Sequence, residues 1–155
     1  MDRSFKVFVE SLEPKFNHLV SMQPIKYNRL PPHLPKKGLY LFSEENNHLY
    51  VGRTNRLRQR LREHCMPSGT HFSATFAFRI ARQQTGYSKA TYKTELSRPE
   101  LVRDRVFGPA FEEAKKRVSI MDIRFIEETD PISQALLEIY VATVLHTPYN
   151  DFENH

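Results

Sequence analysis

Two tyrosines, a row of basic side chains and one late glutamate are the residues whose types and spacing can do chemistry in this chain. Tyr40 and Tyr50 lie in GLYLFSEENNHLYVG, where Leu39, Leu41, Leu49 and Val51 alternate with them in the period-two pattern of two half-buried strands. Residues 44–47 supply the turn. A loop of three or five residues sets Tyr40 opposite Tyr50 and projects both phenols from one sheet face, whereas a four-residue loop separates them; the paired register is the expected one. After Gly52, where backbone or ligand can approach closely, Asn55 reads as the N-cap of a helix carrying Arg56, Arg60 and His64 at steps of four. Those three side chains share a face. Leu57 and Leu61 form the neighbouring apolar stripe that docks the helix and leaves the basic row above the tyrosines.

The glutamate is the sharpest single clue. Asp130 and Pro131 make a cap and first helical position, and ISQALLEIYVATVLH then runs apolar around nearly its whole circumference, as a helix buried on most sides does. Glu138 sits in the middle of it. A lone buried carboxylate costs several kcal/mol unless a cation or metal compensates it or it stays protonated. Glu138 therefore needs a partner, either an arginine in a structural pair or the components of a site. Beyond it, Asn150 follows Thr147-Pro148-Tyr149, where a turn asparagine after a proline is the simple reading.

Other chemistries fit poorly. His64 and Cys65 are neighbours, and adjacent positions on a helix point about 100° apart, so they do not make a thiol and base pair. His64, Cys65 and His71 lack the spacing of a four-ligand zinc site. The single cysteine excludes an intramolecular disulfide, no apolar run approaches membrane-spanning length, and the start of the chain lacks a signal peptide's apolar core, so a reducing cytoplasm and no membrane are expected.

The elements that must position these residues fit one domain of 155 residues with one core. Residues 3–20 place Phe5, Val7, Phe8, Leu12, Phe16 and Leu19 at helical intervals, read as two helical pieces broken before Pro14. Residues 24–37 form an extended, proline-rich lead in which Lys36 and Lys37 either touch phosphate or are simply solvated. In the middle, residues 70–84 are expected as a helix with Phe72, Phe76 and Ile80 inward, ended by Gly86. Pro99 opens a second helix running toward Arg117 with an interruption at Gly108-Pro109, and residues 118–127 alternate as a third strand. Tyr87, Lys89, Tyr92 and Lys93 interleave phenols with ammonium groups, which suits stacking on bases and neutralising phosphates as well as it suits a solvated loop. A net charge of +5 is unevenly spread: residues 53–64 hold five arginines against Glu63, and residues 118–155 hold Arg124 against seven acids. Such polarity favours an anionic partner.

The stretch 38–64 resembles the GIY-YIG nuclease family, whose signature is two tyrosine triplets followed by a helix bearing arginine and often histidine. Gly38-Leu39-Tyr40 stands for the first triplet and Tyr50-Val51-Gly52 for the second, with aliphatic exchanges that a buried strand tolerates. Arg60 and His64 fall at the helix positions, Arg53 stands where relatives often carry lysine, Glu138 matches the metal-binding glutamate, and Asn150 the supporting asparagine. The resemblance implies an α/β (α+β) domain: a small, mainly antiparallel three-stranded sheet flanked by helices, with residues 1–37 as lead-in, 38–64 as signature, 65–130 as an elaborated middle and 131–155 as glutamate helix and closing segment. It implies a DNA endonuclease (RNA not excluded) that uses one Mg²⁺ or Mn²⁺, held by Glu138. In restriction, or else in DNA repair, one tyrosine would serve as base, Tyr40 before Tyr50, helped by Arg60 and His64, because an ordinary phenol near pKa 10 is a poor base at neutral pH. Lys89 and Lys93 would grip substrate, and Arg53 would hold a phosphate oxygen. All five catalytic residues should then meet on one concave, positive surface. The competing readings are a nucleic-acid-binding module that does not cut and a protein-interaction domain.

Overall fold

A computed structural model describes residues 1–87 and 97–153. The chain falls into two compact units, Met1–Arg58 with Met121–His155, and Gln59–Ile120.

The first unit is built on a four-stranded antiparallel sheet in the order β1-β4-β2-β3, formed by β1 (Ile25–Lys26), β2 (Gly38–Glu44), β3 (Asn47–Thr54) and β4 (Asp122–Glu127). The expected three strands are thus joined by a fourth. β1 is two residues long, too short to show a period in the sequence, and it is held by pairing with Ile123 and Asp122 and by the Lys26–Asp122 ion pair at 2.9 Å. The expected third strand begins at Asp122, because Val118 and Ser119 still belong to the preceding helix.

The hairpin decides where the tyrosines point. Its turn is the two residues Glu45 and Asn46, with Glu45 in the left-handed region at φ 56°. Strict pairing outward from such a turn would set Tyr40 opposite Val51 and send the phenols to opposite faces. Instead the register shifts between Phe42 and Ser43: Ser43 pairs with His48 but Phe42 pairs with Tyr50, so Leu49 is an extra residue on β3. Beyond this bulge Tyr40 faces Gly52 and Tyr50 faces Phe42. The paired register is corrected by two residues, while its consequence, both phenols on one face, is retained through the bulge.

The opposite face carries the core of this unit. Leu39, Leu41, Val51 and Ile126 pack there with Leu12 and Leu19 of α1 (Arg3–Ser21) and Leu137, Val141 and Ala142 of α6 (Pro131–Leu145). α1 runs unbroken through Pro14, contrary to the two expected pieces. A proline inside a helix costs about 3 kcal/mol, and each large apolar side chain buried contributes about 1.5–3 kcal/mol. Leu12, Phe16 and Leu19 share one stripe only if the helix continues, so packing outweighs the local penalty. α6 starts as the sequence indicates, with Asp130 accepting from the Ser133 N–H at 2.8 Å and Pro131 in the first turn. It is not enclosed on most sides, however: Ile132, Ile139 and Val144 are exposed.

The second unit is helical among its described residues. It holds most of α2 (Leu57–Cys65), then α3 (Thr75–Thr85), α4 (Arg98–Arg103) and α5 (Phe107–Ser119). Gly86, at φ 71°, closes α3 in the left-handed conformation that favours glycine. Phe76 and Ile80 are buried as expected, but Phe72 precedes the helix and is exposed. The break between α4 and α5 falls at residues 104–106 and not at Gly108-Pro109, because the Asp104 carboxylate accepts from the N–H groups of Val106 and Phe107 and starts α5 there. No described helix is long and apolar enough to cross a membrane.

Candidate active site

In the first unit the signature residues gather along β3, the strand at the end of the sheet. Tyr40 and Tyr50 are 1% and 8% exposed, and their ring centres lie 6.3 Å apart. Gly52 makes this possible. A Cβ at Gly52 would collide with the Cζ and Oη of Tyr40 and stand 2.9 Å from its Cε2, so the ring of the first tyrosine lies across the glycine of the second triplet. Gly38 has a comparable reason: a Cβ there would run into the Ile126 carbonyl of β4. Both glycines serve close packing within the sheet; at Gly52 the sequence alone allowed backbone or ligand.

Two residues from the far end of the chain attach to the same strand. Glu138 reaches Arg53, with Oε2 3.9 Å from Nε; the carboxylate is 21% exposed and the arginine 46%. Asn150 holds Val51 by both backbone groups, its Oδ1 accepting from the Val51 N–H at 2.9 Å and its Nδ2 donating to the Val51 carbonyl at 2.7 Å. The Tyr149 N–H adds a bond to the Leu49 carbonyl at 3.2 Å, so the closing segment lines the outer edge of β3. Tyr40 and Tyr50 leave the sheet by one face and α6 packs on the other. The expected single surface is therefore corrected in this unit: the phenols leave by one face, while Glu138 is carried by the helix on the other and meets β3 at Arg53.

The turn after Gly52 is fixed by contacts that sequence reasoning did not find. Asn55 is not the N-cap: the Thr54 hydroxyl accepts from the Arg56 N–H at 3.0 Å, and the Leu57 N–H donates to the Lys36 carbonyl. Asn55 instead accepts from Gln134 Nε2 at 3.2 Å, and the same amide nitrogen donates to the Glu128 carbonyl at 2.6 Å. Gln134 is 3% exposed on α6, and its signal in the sequence was a polar residue on an otherwise apolar helix one turn before Glu138. Glu128, also buried, is paired with Lys15 of α1. A buried amide nitrogen that donates to both Asn55 and Glu128 ties the turn after Arg53 to the segment before α6.

Arg60 and His64 belong to the second unit. The Arg60 guanidinium donates from Nη1 to the Ser73 carbonyl at 2.6 Å and to Glu63 at 2.8 Å, and from Nη2 to the Thr75 hydroxyl at 2.9 Å. Much of its donor fork is therefore engaged in joining α2 to the start of α3. His64 is fully buried, and burial, then the charges of Arg60 and Arg79, hold its pKa well below the ordinary imidazole value. Such a ring is neutral at pH 7 and a weak base, which works against its expected role as acceptor of a tyrosine proton. Cys65 is buried, with its pKa pushed up to about 12 by burial, in keeping with its exclusion as a nucleophile. Tyr87 stacks on Phe107 at 6.1 Å and donates its hydroxyl to Asp104 at 3.2 Å, which ties it into the unit. Lys89, Tyr92 and Lys93 lie outside the described residues.

The donor set near Arg53 suits a hard ion that keeps its water. No group of three or more histidine, cysteine or carboxylate side chains able to cage a metal occurs among the described residues. Glu138 offers one partly exposed carboxylate on a rigid helix, which is what Mg²⁺ commonly takes from protein when substrate phosphate supplies further oxygens.

Comparison with known proteins bears on the signature directly. No curated protein and no solved structure matches the chain. Residues 36–99 match the family model of the GIY-YIG catalytic domain. Glu138 and Asn150 lie beyond the matched residues, and their place beside the signature rests on the contacts to Arg53 and Val51. Residues 36–99, which contain both tyrosine triplets and the arginine helix, are thus similar to the GIY-YIG catalytic domain.

Proposed function

We propose that the protein is a divalent-metal-dependent DNA endonuclease that hydrolyses a phosphodiester at the edge of β3. One observation carries the reading. Glu138 and Asn150, from the last helix and the closing segment, both attach to β3 between Val51 and Arg53, within the second signature triplet and the residue after it. A carboxylate over an apolar helix and an asparagine on a strand edge have no common packing purpose; at a phosphodiester they supply an ion site and a fixed strand.

Each residue has a task in this reaction. The bound Mg²⁺ or Mn²⁺ would stabilise charge on the phosphoryl oxygens and the departing 3′ oxygen. Glu138 would hold it. Arg53, half exposed and beside Glu138, presents a planar donor fork to a non-bridging phosphate oxygen. Tyr40 is assigned the proton of the attacking water, and Tyr50, in contact with it, orients that water or the phosphate. Gly52 keeps Tyr40 flat across β3, and Asn150 keeps Val51 and hence the strand in place. Arg60 and His64 enter from the family signature alone, Arg60 as a cation and His64 as a neutral hydrogen-bonding ring.

The test is cleavage of supercoiled plasmid with and without Mg²⁺, by the wild type and by Glu138→Ala. The wild type should nick or linearise the plasmid only with the metal, and the variant should lose cleavage while keeping or raising DNA affinity in EDTA. Removing a negative charge beside phosphates cannot weaken their attraction. Wild-type cleavage by the variant would place the metal elsewhere and remove Glu138 from the site.

A further inference from the structure

The helical unit carries a concentration of positive charge that the proposed reaction does not use. Arg79 and Arg82 lie one turn apart on α3, and Arg98 opens α4. The guanidinium carbons of Arg82 and Arg98 stand 4.8 and 5.0 Å from the centre of the same ring, Phe78. That ring is buried and wedged against Phe107 and Phe111, with centres 5.0 and 5.8 Å away, so it is a rigid support. Arg98 is further fixed by donating from Nη1 to the His71 carbonyl at 3.2 Å. Arg82 and Arg98 have no carboxylate partner among the described residues, and the Nε of Arg82 is buried without a hydrogen-bond partner among them. Burial, then Arg98 and Arg79, depress the pKa of Arg82, and burial, then Arg79, depresses that of Arg98.

Gathering like charges in a half-buried place opposes folding, and packing alone would be served by one arginine stem on the ring. A guanidinium that lies against an aromatic face keeps its N–H edge for a second ligand, and two such forks braced on one ring offer charge-assisted donors to an oxyanion. We infer that Arg82 and Arg98, braced on Phe78 with Arg79 alongside, form a phosphate-binding site of the helical unit that takes the backbone of a nucleic-acid strand. The phosphate chemistry stands on this geometry; its assignment to a nucleic acid rests on the nuclease reading.

The experiment uses the full chain and the double variant Arg82→Gln, Arg98→Gln. In the first arm, melting temperature is compared in inorganic phosphate and in chloride at matched ionic strength. Phosphate should raise it for the wild type and not for the variant. An equal phosphate response in both proteins overturns the site. In the second arm, binding to a labelled DNA duplex is measured in EDTA, where no cleavage is needed. The variant should bind about tenfold more weakly per arginine, and the slope of log affinity against log salt should fall by roughly 0.9 for each phosphate no longer neutralised. A lost phosphate response with unchanged DNA affinity would overturn the nucleic-acid assignment and leave a free-phosphate site. Should circular dichroism show the double variant unfolded, the two single variants are read by the same criteria. Failure of Glu138→Ala to stop cleavage leaves both arms standing, so this inference and the reaction mechanism fail separately.

Discussion

Asn150 and Val51 form a two-point clasp: the side-chain amide takes both the N–H and the carbonyl of one residue on the end strand, at 2.9 and 2.7 Å. The Asn150 oxygen also accepts from the Thr147 hydroxyl at 2.8 Å, so the amide is held in its orientation by a third bond. Asn150→Ala should remove all three and leave the Val51 groups partly buried without a partner. Unpartnered buried groups cost about 1–3 kcal/mol. Urea unfolding should show a lower midpoint with an unchanged slope. Asn150→Asp keeps an acceptor for the N–H but turns an oxygen toward the Val51 carbonyl, and should also destabilise. A midpoint unchanged in Asn150→Ala would mean that the clasp is incidental.

Gly52 is the second position where one atom decides local structure. Tyr40 is 1% exposed, so its ring cannot swing into solvent to admit a methyl group. Gly52→Ala should therefore destabilise by about 1–3 kcal/mol, as overpacking does. Cleavage should fall further than stability accounts for, because the displaced group is the assigned base. Melting temperature and nicking rate, measured on the same preparation, separate the two effects. A variant as stable and as active as the wild type would refute the close packing.

These two positions show how far the sequence could be read. Alternation told that Tyr40 and Tyr50 lie on strands, and the triplet spacing pointed to the family. The register depended on a two-residue turn plus a bulged Leu49, and a bulge leaves no mark in a run of apolar residues. Glu138 was legible because a carboxylate in an apolar helix demands a partner, yet its neighbour Arg53 was legible only through the family signature. β1 was missed because two residues have no period, and the continuous α1 because tertiary packing overrides the local cost of Pro14. The arginines on Phe78 were not legible, since the sequence does not say which ring two distant guanidinium groups will share.

His64 predicts a pH dependence of stability. Its pKa in the folded protein lies well below the unfolded value of about 6.5. The unfolded chain therefore binds the extra proton first as pH falls. Stability should be fully present above about pH 6.5 and be lost as pH drops below that value toward the folded pKa, by up to about 1.4 kcal/mol per pH unit for each such histidine. His48, lowered by burial and then Arg124, acts in the same direction. His64→Gln should be less stable at pH 7.5 but show a shallower decline toward pH 5, retaining the part due to His48. An identical decline in the two proteins would show that His64 titrates normally.

The two tyrosines can be told apart by removing one oxygen from each. Tyr40→Phe and Tyr50→Phe both keep a ring, so the ring pairing at 6.3 Å and the cover over Gly52 survive, and changes in rate report on the hydroxyl. If Tyr40 takes the proton from the attacking water, Tyr40→Phe should lower single-turnover cleavage by roughly 10²–10⁴-fold, the usual contribution of a positioned base. Tyr50→Phe, which loses only an orienting hydroxyl, should cost less. DNA affinity in EDTA should stay within a factor of about two for both, because a neutral phenol contributes nothing to counterion release. The reverse order of the two losses would move the base to Tyr50 without disturbing the rest of the site. Wild-type rates in both variants would exclude either phenol as the base and leave the proton to water bound near Glu138 and Arg53.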